Sequence, residues 1–305
     1  MDFSCSDVHV CQCASMPLPN PWTLADADDA FDVLRDLPPE TCWMSGKPRF
    51  RGGEASLGTM PLLTPLISTN PASGYFQFEP RQRAKHRGGV SPESAGGSNR
   101  LSARLLSQFN PAIARSIMDE LGGVDVLDPC AGWGDRLVAA IAGSSARTYT
   151  GFDPNTALAP GYAQVISRYG DASRHRVFTA EAQIVLPGID RSYDLVFTSP
   201  PYFDTEHYSN ESSQSFMRFP DYDSWCAGFY FPVIEQSIRL IRPGGHFALN
   251  IADVFRRGKH LKLTGDAITL VESILGLPLM YHWAMYLSGP LVSSPLCEHV
   301  LVWKK

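Results

Sequence analysis

The sequence predicts an α/β fold: a doubly wound, mostly parallel seven-stranded sheet with an antiparallel edge hairpin and an irregular N-terminal extension. From about residue 105 onward, short apolar runs rich in β-branched and aromatic residues alternate with segments of helical periodicity. This alternation is typical of parallel sheets covered by helices. The last two predicted strands, 279–287 and 299–303, are joined by a short link, which favours an antiparallel hairpin. We therefore divide the chain into an extension, 1–104, and an α/β domain, 105–305.

Composition limits the class of protein. A chain of 305 residues with 44% hydrophobic and 19% charged residues is typical of a globular domain with an appendage. No apolar run approaches the ~20 residues that a membrane span needs, and the start lacks the features of a secretory signal. Seven scattered cysteines suit reduced thiols. We expect an intracellular protein, in the cytoplasm or nucleus, with no membrane partner.

The first strong motif is a strand that runs into a glycine turn. Residues 124–128 form a predicted strand, followed by Pro-Cys-Ala-Gly-Trp-Gly and an apolar helix from residue 135. Gly132 and Gly134 let the backbone pass close beneath a ligand, where a Cβ would collide. Asp128, at the strand end, offers a carboxylate for a cationic amine. The pattern is a candidate ligand-binding turn.

The next predicted strand, 147–153, ends in a second acid. Asp153 lies 19 positions after Gly134, about where nucleotide-binding folds grip ribose hydroxyls. The third glycine of the dinucleotide fingerprint is missing, so the turn favours a cofactor without a pyrophosphate.

A rigid turn follows the strand predicted at 193–197. Residues 199–202 are Ser-Pro-Pro-Tyr, and neither proline can donate to a sheet ladder. Such a turn at the carboxyl end of a central strand stands where ligands bind in open α/β sheets. Taken alone, a Pro-Pro pair is more typical of a stiff surface loop. The glycine turn upstream favours a functional site.

The order Asp-Pro-x-Ala-Gly-x-Gly, Phe-Asp-Pro-Asn, Thr-Ser-Pro-Pro-Tyr resembles the S-adenosylmethionine-dependent amino-methyltransferases of DNA, which make N4-methylcytosine or N6-methyladenine. Small phage and bacterial members are similar also in a Tyr-Ser-x-x-x-x-Gln-Ser segment, a Pro-Gly-Gly turn and an Asn-Ile-Ala-Asp strand end. The resemblance covers about residues 105–305. It implies a Rossmann-like class I methyltransferase domain that transfers a methyl group in line to the exocyclic amine of a flipped DNA base.

The resemblance implies a catalytic role for the proline turn. An exocyclic amine is a poor nucleophile because its lone pair is delocalised into the ring. The Ser199 side chain and the Pro200 carbonyl are expected to accept its hydrogens, with Pro201 keeping the turn rigid. Tyr202 is expected to stack on the extruded base, and Phe203 to form the other wall. A serine in the first motif position favours cytosine over adenine.

The implied cofactor site combines the glycine turn, two further strand ends and the segment before the turn. Its members are Asp128, Pro129, Ala131, Gly132, Trp133, Gly134, Asp153, Glu181 and Asn110. Glu181 follows the third predicted strand, 176–179, and the family contacts adenine at this position. Asn110 can equally be a helix cap. A Pro-Cys pair also occurs in carbon-5 cytosine enzymes. Here it lies inside the cofactor turn, so Cys130 is interpreted as a packing residue.

The extension carries a basic window, 81–89, with four Lys and Arg residues. Its cations suit phosphate contact, although a solvated loop has the same composition. The candidate substrate-binding residues there are Arg81, Arg83, Lys85 and Arg87. The spacing of His9, Cys11 and Cys13 is wrong for a zinc finger, and no metal is predicted.

Other functions stay open at this point. The net charge of −5 does not indicate a nucleic-acid binder, although a local basic patch suffices for one. DNA is the expected partner and RNA the alternative. The same turn can present another planar amine, in a protein glutamine or a small molecule. A third hypothesis is an inactive nucleic-acid-binding protein on the same fold. The recognition sequence, the oligomeric state and a role in restriction or modification are not predicted.

Overall fold

The computed structural model describes residues 9–11, 31–32, 35, 109, 111–205, 207–256, 258–287 and 296–305. Within these residues the sheet has eight strands in the order β1-β9-β10-β6-β5-β2-β3-β4, and a separate hairpin pairs β7 with β8. The strands are β1 His9–Cys11, β2 Asp125–Asp128, β3 Thr148–Asp153, β4 His175–Thr179, β5 Tyr193–Thr198, β6 Ile241–Ile251, β7 Val254–Arg256, β8 Lys259–Leu261, β9 Leu279–Leu287 and β10 Leu296–Lys304.

The topology confirms the predicted fold class. Strands β6, β5, β2, β3 and β4 are parallel to one another, whereas β10 runs antiparallel to both β6 and β9. The predicted count of seven strands is one short, because β1 in the extension pairs in parallel with β9. The chain winds outward from the centre in both directions, through β2, β3 and β4 on one side and β5 and β6 on the other. The neighbours β2 and β5 therefore form the topological switch point, where α/β folds bind ligands.

Helices cover both faces of the sheet. The α-helices are α1 Pro111–Glu120, α2 Asp135–Ala142, α3 Ala159–Tyr169, α4 Ala182–Val185, α5 Ser215–Arg218, α6 Tyr222–Trp225, α7 Phe231–Arg239 and α8 Leu263–Ile268. Two core clusters follow from the two-residue period of the strands. Leu195 and Phe197 of β5 pack with α1, α2 and α3, whereas Val196 packs with α7 and α8. The sheet is thus buried on both sides, as the apolar strands predict.

The helical segment over residues 222–239 has three parts. A π-helical stretch, Cys226–Tyr230, separates α6 from α7, and a second one, Thr269–Ile274, extends α8. Pro232 explains the first interruption, because it has no N–H to donate to the preceding turn of helix. No helix in the described part of the chain is long and apolar enough to span a bilayer.

The Pro-Gly-Gly turn predicted before β6 is a bulge within that strand. Ile241 lies opposite Tyr193, and His246 lies opposite Leu195, so the intervening residues loop out of the ladder. Gly244 has a φ of 82° there, a conformation that glycine adopts without strain. The bulge lies at the opposite end of β6 from the cleft described next.

Candidate active site

One cleft contains both strand-end turns. The glycine turn (residues 128–134) follows β2 and the proline turn (198–203) follows β5, and these two strands are neighbours in the sheet. Of the residues predicted for the site, the cleft is lined by Pro129, Ala131, Gly132, Trp133, Asp153, Glu181, Ser199, Pro201 and Tyr202. The structure therefore brings most of the two predicted sets together.

The glycine turn is held from both sides by hydrogen bonds. Gly132 and Gly134 adopt left-handed conformations with φ of 56° and 86°. A residue with a Cβ would be strained in this conformation. The Gly132 N–H donates to Oδ2 of Asp153 at 2.9 Å, and the Tyr162 hydroxyl donates to the Gly132 carbonyl. These hydrogen bonds within the protein hold the backbone of the turn in place.

Asp128 does not line the cleft. Its carboxylate is buried, and its oxygens accept hydrogen bonds from Arg136 Nε at 2.7 Å, Tyr149 Oη at 2.6 Å, Thr198 Oγ1 at 2.9 Å and the Cys130 N–H at 3.2 Å. The expectation that Asp128 binds a cationic amine is not supported, because these groups already occupy the carboxylate. Asp128 instead joins the glycine turn to the proline turn through Thr198.

Cys130 lies in the same turn and behaves as a packing residue. Removal from water raises the pKa of its thiol above the ordinary value, and the nearby carboxylate of Asp128 acts in the same direction. The thiolate needed for nucleophilic attack is therefore disfavoured.

Two carboxylates stand at the ends of β3 and β4. Asp153 accepts the N–H groups of Gly132 and Asn155, each at 2.9 Å. Burial raises the pKa of Asp153 to about 7, although these two hydrogen bonds favour its charged form. Glu181 accepts from Gln183 Nε2 at 2.8 Å and from Arg218 Nη2 at 2.6 Å. Both carboxylates face the cleft.

A third carboxylate was not predicted. Asp135, the first residue of α2, is buried at the cleft wall. Desolvation raises its pKa to about 7, against the opposing charge of Arg136. Its position at a helix N-terminus favours a negative charge. From the sequence, Asp135 is only the first residue of an apolar helix.

The proline turn is organised around an asparagine on β6. Nδ2 of Asn250 lies 3.0 Å from Ser199 Oγ, 3.0 Å from the Tyr202 hydroxyl and 3.2 Å from Oε2 of Glu298. Oδ1 of Asn250 is buried and has no hydrogen-bond partner within the described residues. Glu298 and Asn250 also line the cleft. Neither was among the predicted site residues, although the Asn-Ile-Ala-Asp motif pointed to the end of β6.

Phe203 corrects a further expectation. Its φ is 57°, which is uncommon for a residue other than glycine. This conformation turns the ring into the core, where it packs edge-on against Tyr222 and Trp225 at centroid distances of 5.7 Å. Phe203 is therefore not a wall of the cleft. Pro200 is also buried and does not line the cleft, whereas Pro201 does.

Residues 208–216, which we call the strap, close one side of the cleft. Tyr208 packs edge-on against Trp133 at 5.7 Å. The carboxylate of Glu211 accepts the Thr156 N–H at 3.3 Å and the Thr156 hydroxyl. The strap therefore contacts the glycine turn and the segment after β3.

Several predicted site residues lie outside the described residues. They are Asn110 and the four cations of the basic window, Arg81, Arg83, Lys85 and Arg87. Their roles remain predictions.

No family model matches the chain, and no curated protein matches it. Solved structures of similar fold include TrmN from Thermus thermophilus, with 18% identity over 67% of this chain and 52% of that one and a TM-score of 0.43. They also include precorrin-6y C5,15-methyltransferase from Geobacter metallireducens, with 13% identity over 71% and 98% and a TM-score of 0.43. A third is a SAM-dependent O-methyltransferase from Thermotoga maritima, with 13% identity over 68% and 69% and a TM-score of 0.40. The chain spans about half the length of the TrmN chain. The similarity is one of fold.

Proposed function

We propose that the chain is an S-adenosylmethionine-dependent N-methyltransferase that acts on the exocyclic amine of a base in DNA. N4 of cytosine is favoured over N6 of adenine, because serine holds the first position of the proline turn. One observation carries the proposal. The Ser-Pro-Pro-Tyr turn and the glycine turn with its carboxylates line one cleft at the switch point of the sheet.

The acidic residues of the cleft fit this cofactor. Asp153 retains acceptor capacity for the two ribose hydroxyls, and Glu181 at the next strand end can accept from the adenine amine. Asp135 takes the role that the sequence had assigned to Asp128, that of facing the ammonium group of the cofactor's amino-acid end. The cofactor supplies a methyl group on a cationic sulfonium.

The proline turn presents the substrate amine. Ser199 Oγ has a lone pair beyond the one that faces Asn250, and it accepts an amine hydrogen. This hydrogen bond weakens the conjugation of the nitrogen lone pair with the ring. Tyr202, fixed by Asn250 through its hydroxyl, offers its ring face for base stacking. Positioning of the amine in line with the methyl group then supplies most of the rate enhancement.

The methylated nitrogen carries one hydrogen more than the neutral product needs. The N–C bond forms as the S–C bond breaks, the sulfur keeps the bonding electron pair, and a proton leaves the nitrogen. We assign Glu298 as the acceptor of that proton, because its carboxylate lines the same cleft and contacts the amide that holds the turn.

The test is methyl transfer from labelled S-adenosylmethionine to unmethylated DNA, followed by mass spectrometry of the nucleosides. We expect the wild type to form N4-methylcytosine. The Ser199→Ala variant is the control: it should bind the cofactor with unchanged affinity and form no product. If the product is N6-methyladenine, the proposed reaction stands and the target base is adenine rather than cytosine. Cofactor binding with no methylated deoxynucleoside would overturn the DNA substrate, and the assay would then turn to RNA, protein glutamine and small amines.

A further inference from the structure

A small hairpin follows β6 directly, beside the cleft. Strands β7 and β8 pair with Val254 opposite Leu261 and Phe255 opposite His260. Val254 and Leu261 are buried in the core, and they anchor the hairpin. Phe255 points the other way and is 67% exposed, with His260 also exposed. The hairpin is therefore anchored in the core on one face and presents an aromatic ring to solvent on the other.

The hairpin is basic in an acidic protein. Residues 254–265 include four Lys and Arg residues and no acid, whereas the whole chain has a net charge of −5. Lys259 and Lys262 are exposed, and neither forms an ion pair with any described residue. Two cations beside an exposed aromatic ring form a surface that suits a phosphate backbone with unstacked bases.

A third cation of the hairpin, Arg256, binds Asp204, the residue that follows the proline turn. Nε of Arg256 donates to Oδ1 of Asp204 at 2.9 Å, and Nη2 donates to the Asp204 carbonyl at 2.8 Å. Asp204 stands two positions after Tyr202. The aromatic ring and the lysines are thereby held next to the proposed base site.

We propose that this hairpin binds the nucleic-acid strand beside the extruded base. Phe255 stacks on a neighbouring base, and Lys259 and Lys262 contact the phosphates. The inference rests on the proposed function, in which a base must leave its stack to reach Tyr202. It also gives an acidic chain a local cationic surface at its active site.

The test is fluorescence anisotropy with labelled oligonucleotides, in single-stranded DNA, duplex DNA and RNA forms, over a series of salt concentrations. The variants are Phe255→Ala and the double variant Lys259→Ala with Lys262→Ala. We expect Phe255→Ala to weaken binding by about tenfold or more. The double variant should reduce the salt slope by roughly 1.5. The affinity for S-adenosylmethionine, measured by calorimetry, should not change.

Two controls match the variants in chemistry. Ile274→Ala removes a side chain that is 68% exposed, and Lys304→Ala removes an exposed lysine. Both lie at the opposite end of the sheet, where β9 begins and β10 ends. We expect neither to change binding.

Each outcome separates the inference from the proposed function. If the wild type methylates DNA and the hairpin variants bind it as tightly as the wild type, the inference is wrong and the proposed function stands. If binding depends on the hairpin but no base is methylated, nucleic-acid binding by the hairpin stands and the proposed function fails. A wild-type protein that binds none of the three oligonucleotides overturns the inference, as does equal weakening in the controls.

Discussion

The two turns of the cleft use opposite backbone chemistry for complementary tasks. In the glycine turn, Gly132 and Gly134 take left-handed conformations, and the backbone of Gly132 lines the cleft. In the proline turn, two prolines remove freedom, and only Phe203 adopts a positive φ. The glycine turn is held by a buried ion pair, between Asp128 and Arg136, whereas the proline turn is held by a neutral amide, Asn250.

The comparison shows that a polar residue at a strand end can serve the turn rather than the ligand. Asp128 has the position of a ligand-binding carboxylate, yet buried donors surround it. Asp153 stands at the equivalent end of the next strand and keeps one side open to the cleft. The predictions below test this division, beginning with the largest effect.

The first prediction is that Asp128→Asn destabilises the fold. The substitution leaves the buried guanidinium of Arg136 without its counter-charge, and a broken buried pair costs about 3–5 kcal/mol in the free energy of unfolding. Denaturant titration followed by circular dichroism measures this change. The control Arg191→Met breaks an exposed pair with Asp125, for which we expect about 1 kcal/mol or less. Unchanged stability together with lost cofactor affinity would make Asp128 a ligand after all.

The second prediction concerns the proline turn. Tyr202→Ala removes the ring that stacks on the base, a contact of about 1–3 kcal/mol, so kcat/KM for the nucleic acid should fall by roughly 10- to 100-fold. Cofactor affinity should stay nearly constant, because the glycine turn is intact. Tyr202→Phe is the matched control, since it keeps the ring and removes the hydroxyl that accepts a hydrogen bond from Asn250. A large loss of cofactor affinity in Tyr202→Ala would show that the two turns are not separable.

The third prediction is that cofactor affinity falls on the acid side of neutrality. Burial raises the pKa values of Asp153 and Asp135 to about 7 in the free protein. Ribose hydroxyls and an ammonium group favour the charged carboxylates, so the bound-state pKa values are lower than the free ones. Below pH 7 each group must then lose a proton on binding, and each lowers the affinity by about tenfold per pH unit. Above pH 7 both are ionised and the affinity is constant.

Calorimetry between pH 5 and 8 (about two units below and one above the free pKa) measures this dependence. Asp153→Asn should weaken cofactor binding and reduce the slope of log affinity against pH by the contribution of one proton. Asp135→Asn should remove the contribution of the other proton. A profile that Asp153→Asn leaves unaltered in slope and affinity would show that the ribose assignment is wrong.

Local pattern predicts much of the fold. The start of α2 and both bounds of β9 match the structure residue for residue, because an apolar run after a glycine turn, or between two loops, specifies them locally. The proline and glycine turns are also local features. This explains why sequence alone located the cleft.

The errors concern contacts between distant residues. The donors that occupy Asp128 come from Arg136, Tyr149 and Thr198, up to 70 positions away. Glu298 reaches Asn250 only through the antiparallel register that sets Val300 opposite Asn250. The direction of the Phe203 ring depends on one backbone angle. No periodicity encodes any of these.

The fourth prediction, with the smallest expected effect, concerns the strap. The strap contacts the cleft on the side of the glycine turn. Glu211→Gln weakens an exposed hydrogen bond to Thr156, and such a contact contributes about 0.5–1 kcal/mol. If the strap closes over bound cofactor, dissociation of S-adenosylmethionine should become about two- to fivefold faster, by stopped-flow fluorescence. Glu235→Gln, at an exposed position on α7, is the control of equal charge change. A contact in the closed complex slows dissociation of the cofactor. A slower association rate with an unchanged dissociation rate would therefore show that Glu211 acts by long-range electrostatic attraction of the cofactor instead.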